Sequence, residues 1–160
     1  MLPYLATMLA LLIVTLCRGK ARASGVVTVL MVNWLLQVAM IKATDEQFPW
    51  MFFLVVDYIS ALSVYGISNR RWGWGVIVLY VAQIVCHAAY GIAEYRHGTN
   101  LQAAQYHYWW ALTYTGWAQL AMVGGWMVHD IVGRRFCARR SVSPASSSAD
   151  AMLHGKAERP

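Results

Sequence analysis

Five apolar stretches, roughly 2–17, 24–41, 50–68, 72–95 and 104–132, follow one another along this chain with links of only a few residues between them. Each is near the length of about 20 residues that an α-helix needs to cross about 30 Å of hydrocarbon. Inside a bilayer the backbone must satisfy its own hydrogen bonds, so such stretches form helices. Short links make successive helices antiparallel neighbours. The expected fold is therefore all-α: a polytopic membrane protein with a five-transmembrane-helix antiparallel bundle.

Composition agrees with that expectation. Of 160 residues 59% are hydrophobic and 12% charged, whereas a soluble domain carries about 25% charged residues. The net charge of +6 could suggest nucleic acid. The basic residues instead sit in short clusters beside apolar runs, which is how orientation signals are placed in membrane proteins. No nucleic-acid partner is expected; the lipid bilayer is.

Charge placement then gives an orientation. With the N-terminus outside, the inner segments hold Arg18, Lys20, Arg22, Arg70, Arg71, Arg134, Arg135, Arg139, Arg140, Lys156 and Arg159, and the outer links hold only Lys42 and Arg96. Cytoplasmic segments carry the Lys/Arg excess, so the chain is expected to run N-terminus outside to C-terminus inside in a bacterial inner (cytoplasmic) membrane. Trp50, Trp72, Trp74, Tyr95, Tyr106, Tyr108, Trp109 and Trp110 fall near the expected interfaces, where amphipathic rings prefer to sit. The Ala21-Ala23 segment has an A-x-A form, but basic residues lie between it and the first apolar run and more apolar segments follow, which argues against a cleaved signal peptide. Residues 1–134 are read as the transmembrane domain. Residues 135–160 are read as a basic, then Ser-rich and disordered, cytoplasmic tail.

Within the fourth segment a polar stripe appears. Tyr80, Gln83, His87, Tyr90 and Glu94 stand at i, i+3, i+7, i+10 and i+14, which keeps all five on one helix face. Other segments offer polar groups at matching depth. Counting inward from the outer ends, at about 1.5 Å per residue, brings Asn33, Asp57, His87 and Thr113 to within a few ångströms of one level. Gln37, Ser60 and Thr115 lie within about a turn of it. An ionised carboxylate in hydrocarbon is penalised by about 2.5–3.5 kcal/mol on insertion scales, so Asp57 must be neutral or paired. His87 is its natural partner, because imidazole both donates and accepts. The candidate site is thus an intramembrane polar layer of Asn33, Gln37, Asp57, Ser60, Gln83, His87, Tyr90 and Thr113. Asn, Gln, Ser and Thr also join membrane helices purely structurally, at about 0.6 kcal/mol per contact.

No catalytic set, cofactor or metal is expected. Cys17, Cys86 and Cys137 form no paired motif. Of His87, His107 and His129, only the first two could share a haem iron, and their depths differ by about a turn at 1.5 Å per residue. The leading function is an oligomeric or partner-dependent channel or transporter-like component conducting a proton, ion or small solute. A holin-type permeabilising protein, on size and layout alone, is the runner-up. A non-catalytic accessory subunit and a lipid-acting enzyme are the remaining alternatives.

Overall fold

The computed structural model describes residues 2–44, 49–68, 71–97 and 102–141. Five α-helices account for them: α1 Leu2–Cys17, α2 Ala21–Ala43, α3 Trp50–Ile67, α4 Arg71–His97 and α5 Gln102–Ser141. Compact packing divides the chain into Met1–Gly125 and Trp126–Pro160, a boundary inside α5 at the Gly124-Gly125 pair.

Three helices, α2, α3 and α4, are long and apolar enough to cross a membrane. The sequence expectation of five such spans is therefore met by three on length and apolarity. Helix α1 has 16 residues, a rise of about 24 Å at about 1.5 Å per residue, short of the hydrocarbon thickness of about 30 Å. Helix α5 has the length, but Gln105, His107, Thr113, Thr115 and Gln119 dilute its aliphatic content. It also continues past the expected end at 132 to Ser141. Arg and Ala are good helix formers and the nearest proline is Pro144, so nothing before it stops the helix. The Ser-rich segment expected to be disordered, residues 142–160, lies outside the described residues.

Local chemistry sets the first turn of the chain. Gly19 adopts φ +61°, a left-handed conformation that glycine takes without a Cβ penalty. Its N–H donates to the Leu16 carbonyl (2.9 Å) and that of Lys20 to the Thr15 carbonyl (2.9 Å), the hydrogen-bond pair of a Schellman cap. With the chain reversed so tightly, α2 starts at Ala21, earlier than the expected 24.

Inter-helix contacts place neighbours in opposite senses along the first four helices. On α2 and α3, Gly25 faces Ile67 while Asn33 meets Asp57. On α3 and α4, Trp50 covers Gly91, Asp57 meets His87, and Tyr65 packs on Trp74. Helix α5 returns against α4 through Gly75 and Met122 and against α1 through Tyr4 and Gly116.

The packed unit is arranged inside out relative to a water-soluble bundle. On α3, Val55, Ile59 and Leu62 are exposed, whereas Asp57 is 0% exposed. On α4, Val78, Val81 and Val85 are exposed and His87 is 0% exposed. Water-soluble proteins leave charged groups outside and avoid broad exposed apolar surface. An aliphatic exterior around a polar interior suits a hydrocarbon solvent instead.

At Gly91 α3 and α4 approach closely: a Cβ there would stand 2.5 Å from the Trp50 indole. A rigid ring cannot yield as a flexible side chain does, and overpacking costs about 1–3 kcal/mol. Gly91→Ala is expected to lower the unfolding midpoint in detergent accordingly. Gly66→Ala, which meets nothing within 4 Å, is the control and should leave the midpoint level or slightly raised.

Candidate functional site

Helical spacing brings the polar residues together. Asn33 and Gln37 share one face of α2 at i, i+4, and Asp57 and Ser60 share one face of α3 at i, i+3. Gln83 and His87 do the same on α4. Where the three faces meet, Asp57 is enclosed by N–H donors. Asn33 Nδ2 donates to Asp57 Oδ1 at 2.7 Å and to Ser60 Oγ at 2.9 Å. Gln37 Nε2 donates to the same Asp57 oxygen at 2.9 Å and to Asn33 Oδ1 at 2.7 Å. The other carboxylate oxygen, Oδ2, lies 2.9 Å from His87 Nε2. Beyond the imidazole, His87 Nδ1 is hydrogen-bonded to the Tyr108 hydroxyl of α5.

One hydrogen assignment serves the whole chain of groups. Asp57, contacted through nitrogen donors on both oxygens, acts as an ionised acceptor. His87 is then the neutral tautomer, its Nε2–H donating to Asp57 and its bare Nδ1 accepting from the Tyr108 O–H. Both ring nitrogens are committed, so neither is left to ligate iron in the way a haem shared with His107 requires. Among the described residues no group of three or more His, Cys, Asp or Glu could hold a metal ion.

Aromatic rings shield this chain. Phe53 lies against the His87 ring with centroids 5.8 Å apart. Tyr90 stacks on Tyr108 at 4.5 Å and 20°. Tyr90 thus joins the site through its ring face, supporting the phenol that meets His87. Excluding water strengthens each hydrogen bond and raises the cost of leaving any of them unmade.

Of the polar layer expected from the sequence, Asn33, Gln37, Asp57, Ser60 and His87 form one network. Gln83 belongs to a second pair, its Oε1 accepting from Gln119 Nε2 at 2.9 Å. Thr113 lines the adjoining cavity with Asn33, Gln37 and Gln83 but joins neither hydrogen-bond network: its hydroxyl donates to the Trp109 carbonyl of its own helix at 2.9 Å. Thr115 likewise bonds back to Ala111 at 2.9 Å. A membrane threonine has this local option, which removes any need for a partner on another helix. In its place α5 supplies Tyr108 and Gln119, which sequence reasoning had not put in the layer. They are eleven residues apart, close to three helical turns, so they occupy one face; that period was the available signal.

Beside the network lies a cavity of about 350 Å³. Tyr4 of α1, Trp34 of α2, and Trp109 and Trp117 of α5 form aromatic walls. Asn33, Gln37, Gln83, Gln119 and Tyr80 supply its polar lining. Tyr80 is 1% exposed, and its hydroxyl makes no well-formed hydrogen bond among the described residues. Toward the α1–α2 turn Val26, Val27, Val64, Val76 and Val123 are each 0% exposed, and Thr15, Ser24 and Ser68 are buried with them.

Comparison with protein families, with curated proteins and with solved structures finds no match to this chain. Its three helices of membrane-spanning length and apolarity, gathered around a buried polar network, define its class as far as the fold does.

Removing one partner from a hydrogen bond to a buried charge leaves that charge short of a donor, at about 1.5–3 kcal/mol. His87→Ala is expected to destabilise the protein in that range, measured by denaturant or thermal unfolding in detergent. Adding Asp57→Asn should restore part of the loss, because the stranded charge is removed. Strictly additive single-variant effects would show that the two side chains are not coupled.

Proposed function

We propose that this protein is a multi-pass component of a bacterial inner membrane that moves protons, alone or coupled to a small solute, through the Asp57–His87–Tyr108 chain. In this proposal all five helices lie across or within the bilayer as an antiparallel bundle, with the N-terminus outside and the C-terminus inside. The Lys/Arg bias of the inner segments supports that orientation. Helix α1, short for a span, and α5, rich in polar residues, are then accommodated against neighbours. The protein works as a homo-oligomer or with a partner membrane subunit, since five helices of one chain are few for a carrier.

The observation that carries the proposal is the continuous buried chain of carboxylate, imidazole and phenol. Ionisable groups inside a membrane are costly and mark proton relays and solute paths. The proton steps balance with these groups alone. Tyr108 gives its hydroxyl proton to His87 Nδ1 and takes a replacement on its oxygen. The imidazolium so formed passes its Nε2 proton to Asp57 Oδ2. That leaves a neutral carboxylic acid and the opposite neutral tautomer of His87; Asp57 then gives up its proton on the side of Asn33 and Gln37, which line the cavity, and return of the ring and the hydroxyl to the starting tautomer resets the chain. A change in Asp57 charge alters the hydrogen bonds that join α2, α3 and α4, which gives gated movement a physical trigger.

Two measurements bear on this. Proton flux in liposomes carrying the wild-type protein should exceed empty liposomes, and Asp57→Asn should reduce it to background. Equal flux in the two proteins removes the proposal. For orientation, a fluorescent protein fused after residue 160 should fluoresce and alkaline phosphatase at the same place should be inactive; active phosphatase there reverses the assigned sidedness.

A further inference from the structure

The aromatic cavity has a chemistry of its own beyond the passage of protons. Its walls bring together rings from three helices: Tyr4 and Trp34 with centroids 5.9 Å apart and tilted by 45°, and Tyr4 and Trp117 at 5.3 Å, edge-on at 85°. All three rings line the cavity, and aromatic rings are the side chains that attract a cation. No Lys or Arg is among the residues lining it. The full charge closest in the network is Asp57, whose Oδ1 is held by Asn33 and Gln37, and both amides line the cavity. With His87 neutral, the surroundings therefore carry one net negative charge.

The buried Tyr80 hydroxyl, beside Ser60 and Asn33 but without a well-formed hydrogen bond to either, and lining this space, adds a second requirement. A buried polar group left unsatisfied is costly, and a ligand able to hydrogen-bond removes that cost. A hydrocarbon would leave it unmet, and an anion would meet ring faces and a carboxylate. We propose that the cavity binds a primary ammonium group carried on a compact aromatic or branched apolar body, with the ammonium at Tyr80 and the amides and the body against the tryptophans. A volume of about 350 Å³ falls at the lower end of small-molecule sites, about 300–1,000 Å³, so one such molecule fills it. This deepens the proposed function by naming the class of solute, and rests on the cavity being the entrance to the polar layer.

The test is calorimetric binding to the protein in nanodiscs, using three probes of one shape: 3-phenylpropylammonium, 3-phenylpropanol and 3-phenylpropanoate. Wild type should bind the ammonium at least about tenfold more tightly than the alcohol, with no saturable binding of the carboxylate. In Asp57→Asn that preference should fall below about twofold while the alcohol's affinity stays level. Trp34→Leu, which leaves the Asp57 hydrogen bonds in place, should weaken the ammonium more than the alcohol, and it carries the test if Asp57→Asn does not fold by circular dichroism. Equal binding of ammonium and alcohol, tighter binding of the carboxylate, no saturable binding of any probe to folded wild type, or a preference that survives both substitutions overturns the proposal. Asp57-dependent proton flux without ammonium selectivity would discard this inference and keep the proton path; selectivity without flux would do the reverse.

Discussion

A single carboxylate, fully buried on α3, dictates how the surrounding helices have to pack. Asp57 cannot be left bare in an apolar interior, so α2 must present Asn33 and Gln37 to one of its oxygens and α4 must present His87 to the other. His87 in turn needs a partner for its second nitrogen, and Tyr108 of α5 provides it. Hydrogen bonds between membrane helices are individually modest, about 0.6 kcal/mol on average. Their directional demand is not: shifting any of these helices by one residue would rotate its polar group out of the layer. Register and chemistry are therefore the same constraint in this molecule.

Around that centre the distribution of side chains follows from the solvent. Exposed Val55, Ile59 and Leu62 and buried Asp57 and Ser60 alternate around one helix. Apolar burial against neighbours adds little in lipid, where the alternative environment is equally apolar. Close fits such as Gly91 under Trp50 and the shared polar network take over its role. The aromatic cavity lies beside the polar layer and shares Asn33 and Gln37 with it.

Much of this was readable from residue order, and the exceptions have physical reasons. Asn33, Asp57 and His87 could be brought to one level because helical rise is constant and the links are short. The Asp57–His87 pairing followed because a buried carboxylate has few alternatives. Thr113 fitted the level equally well, yet depth does not reveal hydrogen-bond partners, and a threonine can satisfy itself on its own helix. Tyr108 was read as an interfacial ring, the usual place for such a residue, and its polar tip was overlooked. Gln119 carried a signal only in combination with Tyr108, through their three-turn separation. The cavity was not legible at all, since it depends on Tyr4, Trp34 and Trp117 meeting across three helices. Helices α1 and α5 show the limit of counting apolar runs: α1 is apolar but short and α5 is long but diluted by polar residues, so neither combines the length and the apolarity of a free-standing span.

The protonation pattern of His87 goes to the heart of this account, because the buried carboxylate, the relay and the negative surroundings of the cavity all depend on it. Nitrogen NMR of histidine-labelled protein in lipid, with the His87 signals assigned by their loss in His87→Gln, reads both ring positions separately. At neutral pH the account predicts one protonated nitrogen, Nε2, and one bare nitrogen, Nδ1, with the pattern disturbed in Asp57→Asn. A doubly protonated ring, a bare Nε2, or a spectrum indifferent to Asp57→Asn would contradict it.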